Sequence, residues 1–542
     1  MKALWINTFE KGKTVGQAEN QSIGIGSMVN TDTFSKKGVL RMGKNVLSRA
    51  SFSHLAHYIT IAEGVVFAQF DNGDVYKSTD SGATWSNTSA TTTNAHGNGL
   101  IYFNGLGGTG YVFAFRDSII DYYSLFSNTW TAGWQTGLST AGSSMTPISA
   151  NHYPFIFPSQ NGFYFGNGNQ LGYIGAGTSS TFDPATAGSG YVYDPAILTL
   201  PSGWIIKTLA FYPPNYLAIG CGSLTNYQTS DLIFWDTVTK NKYYPPITLY
   251  SKSQNRENGI NQLINRNNTL YAVSGGTHSI FKTDGSSYKL MSDLSLHTVY
   301  RQTEGNELDA PMVLSNYPSA IEVIGDRIFT GYATPPSNYI SPFDSTFGVY
   351  PLGVWTMLPD DGEVECTYVP CVNGAGFGDN SPSNNFAIGA IKALTAGSYL
   401  VSWKKASLAL PSSPVYYIDV VSAYGYLTDE AGSVVNGVRN TVIESPLWEI
   451  GSALTPQTIS NIEIQLIKNL EATQRIEVLY RTKTRDNFTS LQTFTGDGTQ
   501  AYYAVDDNPI GATQFLQIQV KLGQSSSSGT FDTPELRTVK IS

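Results

Sequence analysis

The chain is poor in charge. Asp, Glu, Lys and Arg make up 13% of its 542 residues, about half the roughly 25% of an ordinary soluble domain. Its 32 Lys and Arg against 41 Asp and Glu leave a net charge of −9, and no Lys/Arg block stands out. Neutralising phosphates takes clustered cations, and so does holding an anionic membrane surface; the sequence supports neither role. Cysteine is scarce, with only Cys221, Cys366 and Cys371. An odd number cannot complete a disulfide framework, and without a CxxC pair there is no zinc ribbon. A bridge between Cys366 and Cys371 is one option; the simpler reading makes the cysteines small buried hydrophobes in a reducing cytosol. Long apolar runs are missing as well: nothing reaches the ~18 residues of a membrane-spanning helix. The opening MKALWINTFEKGKT lacks the apolar segment of a secretory signal. The expectation is synthesis in a cytoplasm, with the product soluble or assembling there. No sustained helical period occurs; SQNRENGINQLINRNN, from Ser253, holds at most one short turn of helix.

Aromatics, by contrast, reach 13%, with 33 Tyr and 26 Phe, alongside 53 Gly. Tyr, Phe, Val, Ile and Thr suit pleated, half-buried strands, and Gly, Asn and Ser suit tight turns. The arrangement is repetitive. VVFAQFDNGDVYKSTDSGATW, Val65 to Trp85, reads as strand, turn at Asn72-Gly73, strand, then a loop ending in Trp. TLYAVSGGTHSIFKTDGSSYKL, from Thr269, has the same order, and so does YVFAFRDSIIDYYSLFSNTW, ending at Trp130. Looser copies begin at Gly162, Asn215, Asp326 and Ser398. Paired short strands at intervals of roughly 40–60 residues are the signature of propeller blades with loop insertions. A lone blade cannot bury both its faces, whereas ringed blades cover one another. The expected fold is all-β: a β-propeller of about seven blades over residues 51–430.

Beyond about Gly425 the texture changes. NIEIQLIKNL from Asn461, QRIEVLYRTKT, SLQTFTGDGTQAYYAV and QFLQIQVKLGQ alternate apolar and polar residues between short turns. That pattern predicts a C-terminal antiparallel β-sandwich over residues 431–542. The first 50 residues are Gly-rich and polar with few strand signals, and read as an extended N-terminal arm lying on something else.

The sharpest local motif is Ser78-Thr79-Asp80-Ser81-Gly82-Ala83-Thr84-Trp85, which matches the Asp-box, SxDxGxTW, of sialidase-like propellers. Its chemistry is that of a structural turn. Asp80 accepts from backbone N–H groups, Gly82 permits positive φ and Trp85 packs between strands, with Ser78 and Thr84 completing the pattern. A sialidase-like hydrolase would also need clustered Arg, an acid and a nucleophile; Arg116, Arg256, Arg301 and Arg327 are scattered, and only one clean Asp-box occurs. The run Asp360-Asp361-Gly362-Glu363-Val364-Glu365 lacks EF-hand spacing and reads as a solvated loop. His54 and His57 have no evident third ligand or HExxH and read as ordinary surface or interface histidines. The Gly105–Gly110 run lacks the Lys-Ser/Thr and helix of a phosphate cradle and reads as an inter-strand loop. No catalytic residue, cofactor or metal site is assigned. Exposed aromatics near polar loops, Tyr243-Tyr244 or Trp130 and Trp134, are the candidates for stacking on sugars.

Two terminal stretches carry a family resemblance. SIGIGSMVNTDTFSKKGVLRMGKN resembles the openings of bacteriophage virion proteins that place a Gly-rich arm before a propeller. QRIEVLYRTKTRDNFTSLQTFTGDGTQ, QFLQIQVKL and TPELRTVKIS look like the C-terminal sandwich of phage tail proteins. The resemblance implies a structural tail component, nozzle- or muzzle-like, rather than an enzyme. It would be a homo-oligomer, a sixfold ring, assembled in the host cytoplasm and located in the virion. Its partners would be adaptor, ring or fibre proteins. DNA would pass by without specific binding, since an acidic or neutral lumen does not grip phosphates. The alternatives are a peripheral receptor- or glycan-binding propeller and, third, a sialidase-like glycoside hydrolase.

Overall fold

In the computed structural model of the chain, the described residues are 4–6, 27–29, 31–35, 39–88, 96–105, 110–139, 152–158, 161–179, 181–223, 230–240, 242–249, 259–274, 279–293, 317–331, 353–368, 387–395, 397–405, 415–426, 441–445, 447–452, 454–483, 488–505, 510–524 and 533–542. Seven four-stranded antiparallel sheets follow one another along most of this length. Blade 1 consists of β6 (Ala56–Ala62), β7 (Val65–Phe70), β8 (Val75–Ser78) and β9 (Ser86–Asn87). Blade 2 spans β10 (Gly97–Phe103) to β13 (Thr129–Thr136), and blade 3 spans β14 (Pro154–Ile156) to β17 (Tyr191–Thr199). Blade 4 spans β18 (Trp204–Tyr212) to β21 (Ile247–Thr248), and blade 5 spans β22 (Ile260–Arg266) to β25 (Tyr288–Asp293). Blade 6 spans β26 (Ile321–Ile324) to β29 (Val364–Tyr368), and blade 7 combines β30 (Ala387–Thr395) to β32 (Val415–Tyr426) with β5 (Lys44–Phe52). Residues 260–266, inside the stretch expected to hold a helical turn, form the inner strand of blade 5.

Period-2 alternation explains how these sheets stack. In β7, Phe67 faces blade 2, while Val66 and Ala68 face the opposite way, toward blade 7. Every pair of neighbouring blades shares such an apolar core. Phe113 with Phe163 joins blades 2 and 3, Leu171 with Leu217 joins 3 and 4, and Phe234 with Phe281 joins 4 and 5. Tyr271 with Trp355 joins 5 and 6, and Phe329 with Trp403 joins 6 and 7. Seven cores in sequence return to the start, so the ring is closed and the fold is a seven-bladed β-propeller. The inner strands surround an axial cavity of about 380 Å³, lined by residues of all seven blades, Ile59, Leu209 and Ile391 among them.

Blade 7 is where the N-terminal stretch departs from the expected arm. Its first three strands are β30 (Ala387–Thr395), β31 (Ser398–Lys405) and β32 (Val415–Tyr426); its outer strand is β5 (Lys44–Phe52), from the start of the chain. The pairing runs from Tyr416↔Phe52 to Val420↔Ser48 and beyond. Arg49 reaches across it to Asp419 with two hydrogen bonds of 2.6 and 2.9 Å. An open ring would leave an unpaired edge and two uncovered blade faces; an N-terminal strand in the last blade removes both.

Most of the remaining strands form two facing sheets over one core, which includes Ile464, Val478, Ile518, Val520 and Val539. One sheet has the order β1 (Leu4–Ile6), β42 (Leu536–Ile541), β36 (Ile462–Leu466), β39 (Tyr502–Val505). The other runs β2 (Ser27–Val29), β33 (Thr441–Glu444), β41 (Phe515–Gln524), β37 (Gln474–Arg481), β38 (Thr489–Thr495). Strand β36 shows the alternation read from the sequence, with Ile462, Ile464 and Leu466 buried and Glu463 and Gln465 between them. The described parts of the first 50 residues are therefore not an arm: β1 and β2 complete the two sandwich sheets, and β5 completes the propeller. Between them the hairpin of β3 (Thr31–Asp32) and β4 (Arg41–Met42) lies against β29.

Candidate functional site

Antiparallel pairing places the first-to-second and third-to-fourth turns of each blade at one end. The Asp-box lies there, between β8 and β9. Ser81 and Gly82 adopt φ of +58° and +91°, a left-handed step that brings the following N–H groups round toward Asp80. The Asp80 carboxylate accepts from Thr84 N at 2.8 Å, Thr84 Oγ1 at 2.6 Å and Ser78 Oγ at 2.7 Å. These donors, Thr84 foremost, hold its pKa down at about 2. Ser78 Oγ accepts from Gly82 N at 2.8 Å, and Trp85 Nε1 donates to Gly82 O at 2.9 Å. The Trp85 ring stands edge-on to Phe52 of the closing strand, with centroids 5.9 Å apart. All five Asp-box residues thus act on one another or on the blade 7–blade 1 seam.

The same turn chemistry recurs where only one clean copy was expected. In blade 5, Asp284 accepts from Ser286 N at 3.0 Å and Ser287 N at 2.8 Å, which depress its pKa strongly. In blade 4, Asp236 accepts from Thr239 N at 2.8 Å, Thr239 Oγ1 at 2.8 Å and Val238 N at 3.0 Å; Thr239 is the main cause of its lowered pKa. The signal was present in the sequence as Asp236-Thr-Val-Thr239 and Asp284-Gly-Ser-Ser287, each with Asp two or three residues before its donors. Without the consensus Trp it reads only as a loop.

Between these two turns lies a cluster of tyrosines. Tyr212 and Tyr216 face each other across the β18–β19 hairpin, β19 being Tyr216–Ser223. Tyr212 donates its hydroxyl to Asp284 O of the next blade and packs on Phe234 at 5.0 Å. Tyr216 and Tyr244 form an edge-to-face pair at 5.5 Å, their hydroxyls 3.4 Å apart. Tyr288 stands edge-on to Phe281 at 5.6 Å. Tyr244 is 53% exposed and Tyr288 36%. The other aromatic candidates are committed elsewhere. Trp130 and Trp134 are half-buried between blades and donate to Thr88 Oγ1 and Pro184 O, and Tyr243 packs on the core shared by blades 3 and 4.

The remaining sequence candidates are dispersed. His54 and His57 do not converge: His54 meets Asp71 at 2.7 Å, while His57 is buried, stacked on Tyr317 at 4.2 Å, and burial lowers its pKa to about 3. Arg116 is buried beside Asp121 in blade 2, and Arg327 sits in blade 6; Arg256 and Arg301 lie outside the described residues. Cys221 and Cys366 are buried thiols, and Cys371 and residues 106–109 lie outside the described residues. Among the described residues no group of three His, Cys, Asp or Glu is placed to hold a metal ion.

The acidic run 360–365 is only partly a solvated loop. Asp360 and Asp361 are exposed, but Glu365 is fully buried. It accepts from Thr33 N at 2.6 Å and Thr33 Oγ1 at 2.9 Å, and Arg327 lies 3.8 Å from its other oxygen. Asp32 adjoins it, bound to Lys44 at 2.7 Å. Burial first, then the neighbouring Asp32 charge, pushes the Glu365 pKa up to about 8. This cluster of four ionisable groups pins the N-terminal hairpin to the outer edge of blade 6.

No family model matches the chain, and no curated protein does. Among solved structures, YCF48 bound to a D1 peptide is 9% identical over 69% of this chain and 97% of its own, with a TM-score of 0.39. The designed protein Ika8 is 9% identical over 70% and 100%, also at 0.39. A glycoside hydrolase is 10% identical over 92% and 99%, at 0.28. With TM-scores below 0.5, none of these bears on what this chain does.

Proposed function

We propose that the chain is a non-catalytic structural subunit of a bacteriophage tail, nozzle-like, working as a homo-oligomeric ring beside adaptor, ring or fibre proteins. The observation that supports this reading most directly is where the two resemblance-bearing ends lie. Ser27–Val29 pairs with Thr441–Glu444, which pairs with β41, which pairs with β37. Leu40 also exchanges backbone hydrogen bonds of 2.9 and 3.0 Å with Leu536. The stretches similar to phage tail proteins are thus neighbours in one sandwich, a unit that could dock in an assembly while the propeller projects from it. The low charge suits a subunit that packs against copies of itself. In this reading DNA passes between subunits, since an axial cavity of about 380 Å³ has the size of a small-molecule site. Mass spectrometry and cryo-EM of purified virions test the proposal. The chain should appear in the tail with cyclic symmetry, and its absence from particles would overturn the idea.

A further inference from the structure

We propose that the tyrosine rim between blades 4 and 5, formed by Tyr212, Tyr216, Tyr244 and Tyr288 and flanked by Asp236 and Asp284, is a binding site for a neutral glycan. Tyr244 and Tyr288 are exposed and Tyr212 and Tyr216 half-buried, and these rings are held rather than loose. Tyr212 is fixed by its bond to Asp284 O. Tyr216 and Tyr244 brace each other, and the apolar core shared by the two blades lies directly beneath them. Rigid rings with hydroxyls at their tips offer apolar contact and hydrogen bonding at little cost in ordering. That combination matches a sugar ring, which has a C–H face and a rim of hydroxyl donors.

The carboxylates supply the complementary acceptors. An ionised carboxylate offers about four lone-pair sites. Asp236 uses Oδ1 for Val238 N and Thr239 N and Oδ2 for Thr239 Oγ1. Asp284 directs most of its bonds through Oδ1, leaving Oδ2 with Ser287 Oγ alone. Both are held in place by their own turns before any ligand arrives, and each keeps acceptor capacity on Oδ2. Two fixed negative charges disfavour an acidic sugar. Of the nearby amines, Lys240 is drawn to Asp194 at 3.4 Å and Lys242 balances Asp236. A protein partner would typically cover about 800 Å² on each side, whereas four rings and two turn tips fit one or two sugar residues.

The test applies the purified full-length chain to an array of neutral and anionic oligosaccharides, then titrates the strongest hit by calorimetry. Neutral glycans should bind. The double variant Tyr216→Ala/Tyr244→Ala should weaken binding by about tenfold or more, the scale of a lost aromatic contact, with the melting temperature little changed. Tyr288→Ala, in a different blade, serves as a second variant should the first disturb its hairpin. Absence of neutral-glycan binding, binding that survives both variants, or a preference for anionic sugars would each overturn the proposal. So would finding that the rim is needed only to hold a tail protein. Because the array uses the isolated chain, its result is independent of whether the chain is found in virions.

Discussion

Glu365 and Thr33 lie 332 positions apart in the sequence, yet the Glu365 carboxylate accepts from both the backbone N–H and the hydroxyl of Thr33. The contact joins the outer strand of blade 6 to the segment between the sandwich and the closing strand. It ties the N-terminal hairpin to the propeller through a buried ionisable group.

That joint has a pH dependence with a definite sign. The folded-state pKa of Glu365 is raised from 4.5 to about 8, so between these values the folded chain holds a proton that the unfolded chain has released. Stability therefore falls as pH rises from about 4.5 through about 8. Asp32, Arg327 and, through Asp32, Lys44 are the charges facing the site. The difference in melting temperature between the wild-type chain and Glu365→Gln should therefore shift against the wild type as pH rises from about 5 to about 8, a comparison that cancels groups of opposite sign such as the buried Lys207, whose pKa is lowered to about 7. An equal slope in the variant would place the titration elsewhere.

Arg49 ties the closing strand to blade 7. Its partner Asp419 is fully buried and also accepts from Trp403 Nε1 at 2.8 Å and from Tyr368. Arg49→Met removes the guanidinium paired with this carboxylate and should cost about 3–5 kcal/mol, the usual penalty for stranding a buried charge. Urea denaturation measures it. Asp419→Asn alongside Arg49→Met should recover part of the loss, because the stranded charge is then gone.

The Asp-box predicts a backbone effect. Gly82 has φ +91°, and a Cβ there would come 2.6 Å from Leu400 Cδ2 of blade 7. Gly82→Ala should destabilise by about 1–2 kcal/mol from the left-handed conformation alone, and by more if Leu400 cannot turn aside. Thermal unfolding, with Gly64→Ala as a positive-φ control in open space, separates the two terms.

The cysteines should be chemically quiet. Burial raises the Cys221 thiol well above its usual value, and Cys366 lies in the core shared by blades 5 and 6. Thiolate is the reactive form. Mass-spectrometric mapping after brief alkylation should find both positions unmodified in the native chain and modified in denaturant. Rapid native labelling of Cys221 would contradict its burial.

Strands made from consecutive residues were legible in advance because their signals are local. Val65–Phe70 and Thr269–Ser274 announce themselves by composition and by the turns that follow, and Ile462–Leu466 by strict alternation. The Asp80 turn could be read for the same reason: its donors lie within four residues. Asp236 and Asp284 use the same chemistry with a degenerate consensus, so the motif was visible only at Asp80. The tyrosine rim was half seen. Tyr244 was singled out, but its partner Tyr216 lies 28 residues earlier, and Tyr243 and the two tryptophans turned inward to the blade seams.

What the sequence by itself determined is the all-β character, a blade count of about seven and the change of texture near residue 425. All of these follow from short-range alternation and turn chemistry. The tertiary structure alone decided where the first fifty residues go. Lys44–Phe52 carries few strand signals because its partner, β32, lies some 370 residues away, and an edge strand's register is set by the sheet it completes. For the same reason Glu365, one acidic residue in what looked like a solvated loop, became the buried half of a joint. Its environment comes from Asp32 and Thr33, more than 330 positions earlier in the chain, and from Arg327 of the same blade, which only the folded chain brings together.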